Sequence, residues 1–199
     1  MGYSMTAADL RLPSFKPGPA LRVARRVRGM KQSHAAEYLR IGQPMVSRIE
    51  RGEVEPGRRL HTRILDLVMA RLDPARDAGL RRLIDHAGSP VHLICDVTHR
   101  LLAASLTREQ EWQRSFADLR GRSLWGHASM EIHATEATLV DLGWGEVNGI
   151  HTLTFVTGAN RSQDLRIMAD TLTWDRVILA DGSAARIVTG TGRSSAPEA

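Results

Sequence analysis

The sequence predicts a chain of two parts, an all-α N-terminal domain followed by an α+β domain built on an antiparallel sheet. Small apolar residues recur at helical spacing on both sides of a break at residues 40–42, which predicts two short helices joined by a tight turn. From residue 88 onward, short strand-forming runs alternate with helix-compatible sequence, and Asp181-Gly182 separates two of these runs as in a β-hairpin. The patterns predict a flexible arm (1–18), a helix-turn-helix domain (19–72), a connector helix (73–87), a sheet domain (88–190) and a disordered tail (191–199).

Length and composition are those of an ordinary globular protein. The chain has 199 residues, of which 42% are hydrophobic, enough for the cores of two small domains. It contains no run of about 18 apolar residues, and its N-terminus lacks the basic start and apolar centre of a secretory signal. The single cysteine, Cys95, agrees with a reducing compartment, although an intermolecular or redox role for it stays open. We therefore expect a cytoplasmic protein with no membrane partner.

The segment between Met30 and Gly52 is the most informative part of the chain. Ala35, Ala36 and Leu39 form one apolar stripe on a helix over 32–39, and Pro44 suits the first turn of a second helix that begins at Gln43. The outward side chains of the second helix carry amide, hydroxyl and guanidinium groups, and amides and guanidinium groups match base edges in the major groove of DNA. This outward set consists of Gln43, Pro44, Met45, Ser47 and Arg48.

The same segment resembles the DNA-binding domain of lambda-repressor-like regulators, also called the XRE family. Gln32 matches the Gln that opens the family's second helix, and residues 47–52 match its Ser-x-x-Glu-x-Gly motif. The resemblance covers roughly residues 18–72. It implies that Gln32 touches a phosphate, that Gln43 and Pro44 lie over the first bases, and that Ser47 and Arg48 reach deeper. It also implies that Glu50 is structural, and Arg51 joins the predicted DNA-binding set.

The chain departs from this family at the turn. The family has Gly where this sequence has Arg40, and a Ser or Thr helix cap where it has Gly42. Gly is tolerated at a helix cap, and Arg in a left-handed turn costs about 1 kcal/mol, so we expect the turn to form with altered geometry.

Charge favours a nucleic-acid partner for the first part. Residues 1–82 contain 17 Lys or Arg against 8 Asp or Glu, a balance of +9, whereas residues 83–199 contain 10 against 14, a balance of −4. A basic domain joined to a mildly acidic one confines the attraction for phosphate to the first. The alternative is a helical hairpin used for protein contact.

Two flanking segments have more than one interpretation. The N-terminal arm either is mobile or lies along a DNA backbone through Arg11 and Lys16. The connector helix, predicted over 75–87, either couples and dimerises the two halves or packs as a cap on the second domain's sheet.

The second domain begins with two strand-like runs, 91–96 and 100–105. Helices are predicted over 108–119 and 129–142, and further strand-like runs over 149–156, 165–173, 175–180 and 185–188. This order resembles a PAS-like sensor domain, as do the opening residues 89–96 with 100–105 and the Leu119–Leu124 step. The resemblance implies a five-stranded antiparallel sheet with helices on one face, and a cavity that holds a small molecule or nothing.

No motif in the second domain predicts catalysis or a metal site. His92, His99, His127, His133 and His151 lack metal-ligand spacing, although one of them could ligate a haem. No phosphate loop, nucleophile elbow or paired-carboxylate motif is present, so we expect no enzyme, and no cofactor can be assigned. Trp112, Trp125, Trp144 and Trp174 fit either a packed core or the lining of an apolar pocket.

Together these patterns predict a transcriptional regulator that binds double-stranded DNA, with a second domain that senses a signal or dimerises. A homodimer is expected because one recognition helix covers only half of a binding site. The alternative is a protein-interaction module, antitoxin-like or anti-activator, that binds a protein and uses DNA only for autoregulation.

Overall fold

The computed structural model describes residues 16–146 and 148–192. The first part contains four helices, α1 (Pro17–Val27), α2 (Gln32–Leu39), α3 (Gln43–Glu50) and α4 (Arg58–Val68). Helix α1 begins at Pro17, within the segment expected as an arm, because Pro17 and Gly18 are buried in the helical bundle. The rest of that arm, and the tail from residue 193, lie outside the described residues.

The turn between α2 and α3 is formed by residues that the sequence marked as unusual. Arg40 has φ 54° and ψ 50°, a left-handed conformation, at the position where lambda-repressor-like regulators have glycine. Its backbone N–H still closes the end of α2 on Glu37 O. Gly42 is extended at the start of α3 and offers no side-chain cap, while Pro44 occupies the first turn. The tight turn therefore forms as expected, with its strain placed on Arg40.

The helices pack around a small apolar core. Fully buried side chains from all four helices meet there, among them Leu21, Leu39, Val46, Ile49 and Ile64. Ala35 and Ala36 let α2 approach its neighbours closely, as their small size predicts. This packing fixes α3 with Val46 and Ile49 inward and leaves its opposite face to solvent.

A single sheet organises the second part. Its strands are β1 (Val91–Cys95), β2 (Leu101–Ala104), β3 (Thr152–Thr157), β4 (Asp170–Ile178) and β5 (Ala184–Gly190), in the spatial order β2-β1-β5-β4-β3 with every neighbouring pair antiparallel. This is the five-stranded antiparallel sheet that the sequence implied. The central strand, β5, pairs with β1, which comes from the opposite end of the domain.

Strand β4 differs from the prediction. The sequence suggested separate runs over 165–173 and 175–180, but β4 continues through Trp174 from Asp170 to Ile178. Trp174 pairs with Val188 on one side and Leu153 on the other, and its ring is buried. The predicted break was wrong because a strand in the interior of a sheet is held by its two neighbours. The Asp181-Gly182 turn does form, with Gly182 at φ 76°.

Helices cover both faces of the sheet. Helices α6 (Leu106–Trp112), α7 (Phe116–Leu119) and α8 (Met130–Thr138) lie on one side, and α5 (Ala78–Asp85) packs against β1 and β2 on the other. The predicted single helix over 108–119 is two helices, because Gln113 adopts φ 55° and Ser115 starts a new helix by accepting a hydrogen bond from Asp118 N.

The two parts touch through polar contacts as well as apolar ones. Arg28, which ends α1, is held within the helical part by donating to Leu67 O and reaches the sheet domain by donating to Asp181 O (3.1 Å). Asp77 accepts from Ala180 N at 2.9 Å, and Val97 packs against both cores. None of the helices in the described ranges is long and apolar enough to cross a membrane.

Candidate functional site

The outer face of α3 presents polar side chains to solvent. Gln43, Pro44 and Arg48 are exposed, and so is Arg51 just beyond the helix. Ser47 is half-buried and accepts a hydrogen bond from Arg51 Nη1 at 2.6 Å. These five predicted residues therefore share one surface, and their amide, hydroxyl and guanidinium groups are the types that read base edges and phosphates.

Met45 lies differently from the rest of the predicted set. It is half-buried and packs against the core of the helical bundle. Its side chain lies partly toward the buried face of α3, the face that carries Val46. Met45 therefore contributes mainly to packing, with part of its surface left at the edge of the exposed face.

A row of hydrogen bonds fixes the beginning of this face. Gln43 Nε2 donates to Gln32 Oε1 (2.6 Å), and Gln32 Nε2 donates to Glu50 Oε2 (2.9 Å). Arg25 closes the row with two bonds to Glu50, of 2.7 and 3.0 Å. Burial acts to raise the pKa of Glu50, but hydrogen bonds from Arg25 and Gln32 outweigh it and lower that pKa. Glu50 is therefore an ionised structural residue, as the resemblance implied.

The cations of this face have an acidic neighbour. Arg51 forms an ion pair with Glu53, and Arg48 Nε lies 3.9 Å from Glu53 Oε2. All three side chains are about half exposed, so the pairs are weak and exchange readily for other anions. Phosphate groups of a nucleic acid are such anions.

A second site is the cavity between the sheet and helices α6 to α8. Its volume is about 70 Å³, whereas pockets for drug-sized ligands measure about 300–1,000 Å³. Trp112, Trp125 and Trp174 line it together with aliphatic side chains of the sheet and loops. It has room for a few waters or a very small molecule, and a haem would require the lining to move.

Buried histidines give the cavity its polar character. His92 is 9% exposed, its Nδ1 has no hydrogen-bond partner among the described residues, and its ring contacts Trp112 edge to face at 4.9 Å. Burial, with the nearby charge of Arg108, lowers the pKa of His92 well below its usual value. His92 is therefore a neutral imidazole at neutral pH, able to donate or accept one hydrogen bond.

An ion-pair network lies at the other end of the cavity. Arg186, 1% exposed, donates to Asp96 Oδ1 through Nε (2.9 Å) and Nη2 (2.7 Å), and to Glu136 Oε2 through Nη1 (2.5 Å). Its guanidinium carbon lies 4.3 Å from the centre of Trp174 and 5.1 Å from that of Trp144. One buried cation is thus held by two carboxylates and two aromatic faces.

His99 extends this network. Its Nε2 lies 3.3 Å from Glu136 Oε1, close enough for an ion pair when the ring is protonated but without the alignment of a hydrogen bond. Burial acts to raise the pKa of Glu136, yet the charge of Arg186, together with His99, lowers it to about 2. Glu136 is therefore ionised throughout the physiological pH range.

The sequence did not point to Asp96, Glu136, Arg186 or Arg108 as site residues. One signal was available, because alternation along β5 places Arg186 on the same face as the buried Val188. A charged residue on the inward face of a strand predicts a buried ion pair, but not its partners. Within the described part of the chain, no cluster of three or more His, Cys, Asp or Glu is arranged to hold a metal ion.

Comparison with known proteins gives structural neighbours only. No family model matches the chain, and no curated protein matches it. A PAS domain of an HTR-like protein from Haloarcula marismortui is 13% identical, with 57% of this chain and 88% of that chain covered and a TM-score of 0.42. A PAS domain from a two-component sensor histidine kinase is 17% identical, with 57% and 92% covered and a TM-score of 0.40.

A third similar structure spans both parts of the chain. It is an RNA-binding light-oxygen-voltage receptor, 14% identical, with 97% of this chain and 65% of that chain covered and a TM-score of 0.43. All three TM-scores lie below 0.5, so the function has to be inferred from the contacts within this chain.

Proposed function

We propose that this protein is a transcriptional regulator that binds a specific double-stranded DNA sequence through a lambda-repressor-like helix-turn-helix domain. The observation that carries the proposal is the solvent-facing side of α3, where Gln43 is held by the Gln32–Glu50–Arg25 row. A glutamine held by a neighbouring glutamine is preorganised to hydrogen-bond a base, since its rotamer is fixed before DNA arrives.

Two further features support the proposal. The first 82 residues carry a balance of +9, which attracts phosphate. Arg48 and Arg51 lie beside the row. Arg48 makes a weak contact of 3.9 Å with Glu53, which leaves it available to a base edge, and Arg51, bonded to Ser47 and paired with Glu53, can exchange that pair for a DNA phosphate. A homodimer belongs to the proposal because α3 alone spans one half-site.

The second domain is proposed to be a PAS-like sensor. Its strand order, the helices over one face of the sheet and the cavity between them agree with that interpretation. The cavity is lined by tryptophan and aliphatic side chains together with the neutral His92 and the paired charges of Arg186 and Glu136, and because its volume is about 70 Å³ we expect any ligand there to be very small. No catalytic step is proposed for either domain, and a regulator of this kind would work in the cytoplasm.

The test is selection of genomic DNA fragments with the full chain at two salt concentrations. We expect a few inverted-repeat sites to be enriched, and the Arg48→Ala variant to lose about 1–3 kcal/mol of binding to them while its non-specific binding is nearly unchanged. Arg166→Ala, an exposed arginine of the second domain, is the matched control and should bind like the unmodified protein.

Three results would count against this function, two from the DNA selection and one from co-purification. Uniform, steeply salt-dependent binding without enrichment would mean that the basic half only holds phosphates. If Arg48→Ala lost the same binding free energy on specific and on non-specific DNA, Arg48 would not take part in base recognition.

The alternative is a protein-interaction module that uses DNA only for autoregulation. Exposed apolar side chains favour it, since Leu83 on α5 and Leu106 on α6 are 75% and 63% exposed. Thr107 of α6 donates through Oγ1 to Ala87 O and Gly88 O, in the segment just after α5. The third contrary result would combine two observations. A stable, stoichiometric partner protein would co-purify from the native host, and the protein would protect only its own promoter.

A further inference from the structure

A second opening lies between the helical bundle and the sheet domain, separate from the cavity. Its volume is about 130 Å³, nearly twice that of the cavity. One wall is helix α1, through Pro19, Ala20 and Val23, and the opposite wall contains Trp144 and Arg176. We call this opening the interdomain groove.

The groove is apolar except for the guanidinium of Arg176 and the carboxylate of Asp96, which are paired with each other. The Arg176 side chain is 5% exposed, and Nε donates a long hydrogen bond of 3.3 Å to Asp96 Oδ2. Nη2 is buried and has no hydrogen-bond partner in residues 16–146 and 148–192. Leaving a buried charged donor unsatisfied is unfavourable, so this nitrogen requires an acceptor.

Asp96 cannot supply that acceptor as it stands. Its Oδ1 accepts two bonds from Arg186 (2.9 and 2.7 Å) and one from Trp144 Nε1 (3.1 Å). Its Oδ2 accepts from Trp144 Nε1 and from Arg176 Nε. Four N–H groups thus point at its two oxygens, since Trp144 Nε1 shares one N–H between them, and a carboxylate offers about four acceptor positions, so all of them are used.

The backbone at Gly145 keeps the groove open. An added Cβ at Gly145 would lie 3.6 Å from Val23 Cγ1 and 3.7 Å from Arg176 Cζ. Val23 and Arg176 therefore face the same small space from opposite domains, with no side chain of residue 145 between them.

We infer that the interdomain groove binds a small monocarboxylate with an apolar body about the size of a benzene ring. A closed cavity of about 150 Å³ lined by apolar side chains accommodates benzene, and the groove, at about 130 Å³ and partly open to solvent, admits such a ring with its carboxylate directed at Arg176. A carboxylate is the acceptor that best matches a guanidinium, because the hydrogen bonds are charge-assisted. The bound molecule touches α1 and β4 together and holds the two domains in one arrangement.

The experiment uses the full chain and sodium benzoate as the probe, followed by calorimetry and by NMR. Benzoate is expected to bind saturably at one site, whereas benzyl alcohol, with the same ring and no charge, and acetate, with the charge and no ring, should bind at least tenfold more weakly. Arg176→Met should weaken benzoate binding at least tenfold. Val23→Trp should abolish it by filling the groove.

Arg166→Met is the matched control, an exposed arginine outside the groove that should leave benzoate binding unchanged. If Arg176→Met does not fold, Val23→Trp decides the question, since it keeps every polar group. Absence of saturable binding, equal binding of benzyl alcohol, or binding that survives Val23→Trp would overturn the inference. Since DNA selection does not depend on the groove, failure here is distinguishable from failure of the proposed function.

Discussion

Replacing Glu136 with glutamine tests the ion-pair network at the end of the cavity. Glu136 on α8 accepts hydrogen bonds from Arg186 and lies 3.3 Å from His99, and its side chain is 12% exposed. Glutamine keeps the shape of the side chain and removes the negative charge. Arg186 then retains only Asp96 as a carboxylate partner.

The magnitude follows from the pKa of Glu136. Burial opposes ionisation, but Arg186 and His99 lower the pKa from 4.5 to about 2. At about 1.4 kcal/mol for each unit, the charged form stabilises the fold by about 3 kcal/mol at neutral pH. Because the pKa is lower in the folded chain, the unfolded chain takes up the proton first as the pH falls. The stabilisation is therefore complete above pH 4.5 and is lost as the pH falls through about 2.

Urea unfolding at pH 7, 5, 4 and 3 measures the difference in the free energy of unfolding between the unmodified protein and Glu136→Gln. We expect the variant to be less stable by about 3 kcal/mol at pH 7 and pH 5, with a difference that shrinks at pH 4 and further at pH 3. Glu37→Gln, at an exposed position of α2, is the control and should shift stability by no more than about 0.5 kcal/mol. A difference that stays the same at every pH would refute the electrostatic reasoning and assign the loss to packing.

Two further substitutions address other features of the fold. Arg40→Gly should stabilise the helical domain by about 0.5–1 kcal/mol. Glycine removes a conformational strain of about 1–2 kcal/mol at this left-handed position, but it also raises the entropy of the unfolded chain, which offsets part of that gain. A lower thermal midpoint for the variant would contradict this. His92→Phe should reduce the loss of stability as the pH falls below 6.5. His92 is neutral when buried in the folded chain, whereas in the unfolded chain it takes up a proton below about pH 6.5, and this favours unfolding. If the free energy of urea unfolding depended on pH in the same way in the variant, the buried ring would be gaining its proton without penalty.

Local patterns predicted the helical domain closely. Helices α2 and α3 begin at Gln32 and Gln43 as the apolar spacing indicated, and the turn between them is left-handed at Arg40. These features depend on residues within one or two turns of each other, so they can be inferred from the sequence. The same holds for the hairpin at Asp181-Gly182, because the turn type is set by the two residues themselves.

The buried charges could not be predicted in the same way. Arg186 meets Asp96 across 90 residues and Glu136 across 50, and although the alternation along β5 marks Arg186 as inward-facing, nothing near Asp96 or Glu136 in the sequence marks them as its partners. The division of 108–119 into two helices was also missed, since it depends on Gln113 adopting a left-handed conformation. Pairings between distant segments are decided by the sheet order, which the sequence indicates only through resemblance.

The contacts from the cavity to helix α3 form a physical route. Arg186 lines the cavity and is bonded to Asp96, whose other partners, Trp144 and Arg176, line the interdomain groove against α1. A ligand that displaces Arg186 must break or carry along its bonds to Asp96, because a buried carboxylate left unpaired is strongly unfavourable.

Helix α1 connects this route to helix α3. Its Arg25 holds Glu50 at the end of α3, and its last residues reach the sheet domain through Arg28 and Asp181. The groove lies beside the Arg28–Asp181 contact, which joins α1 to the sheet domain, and it is lined mainly by apolar side chains; among the described residues, Arg176 Nη2 has no hydrogen-bond partner there. In the proposed regulator, a molecule bound in the groove would therefore add a contact between α1 and Arg176 and set how strongly a change at Arg186 reaches α3, since a ligand shifts an equilibrium only through the contacts that differ between its states.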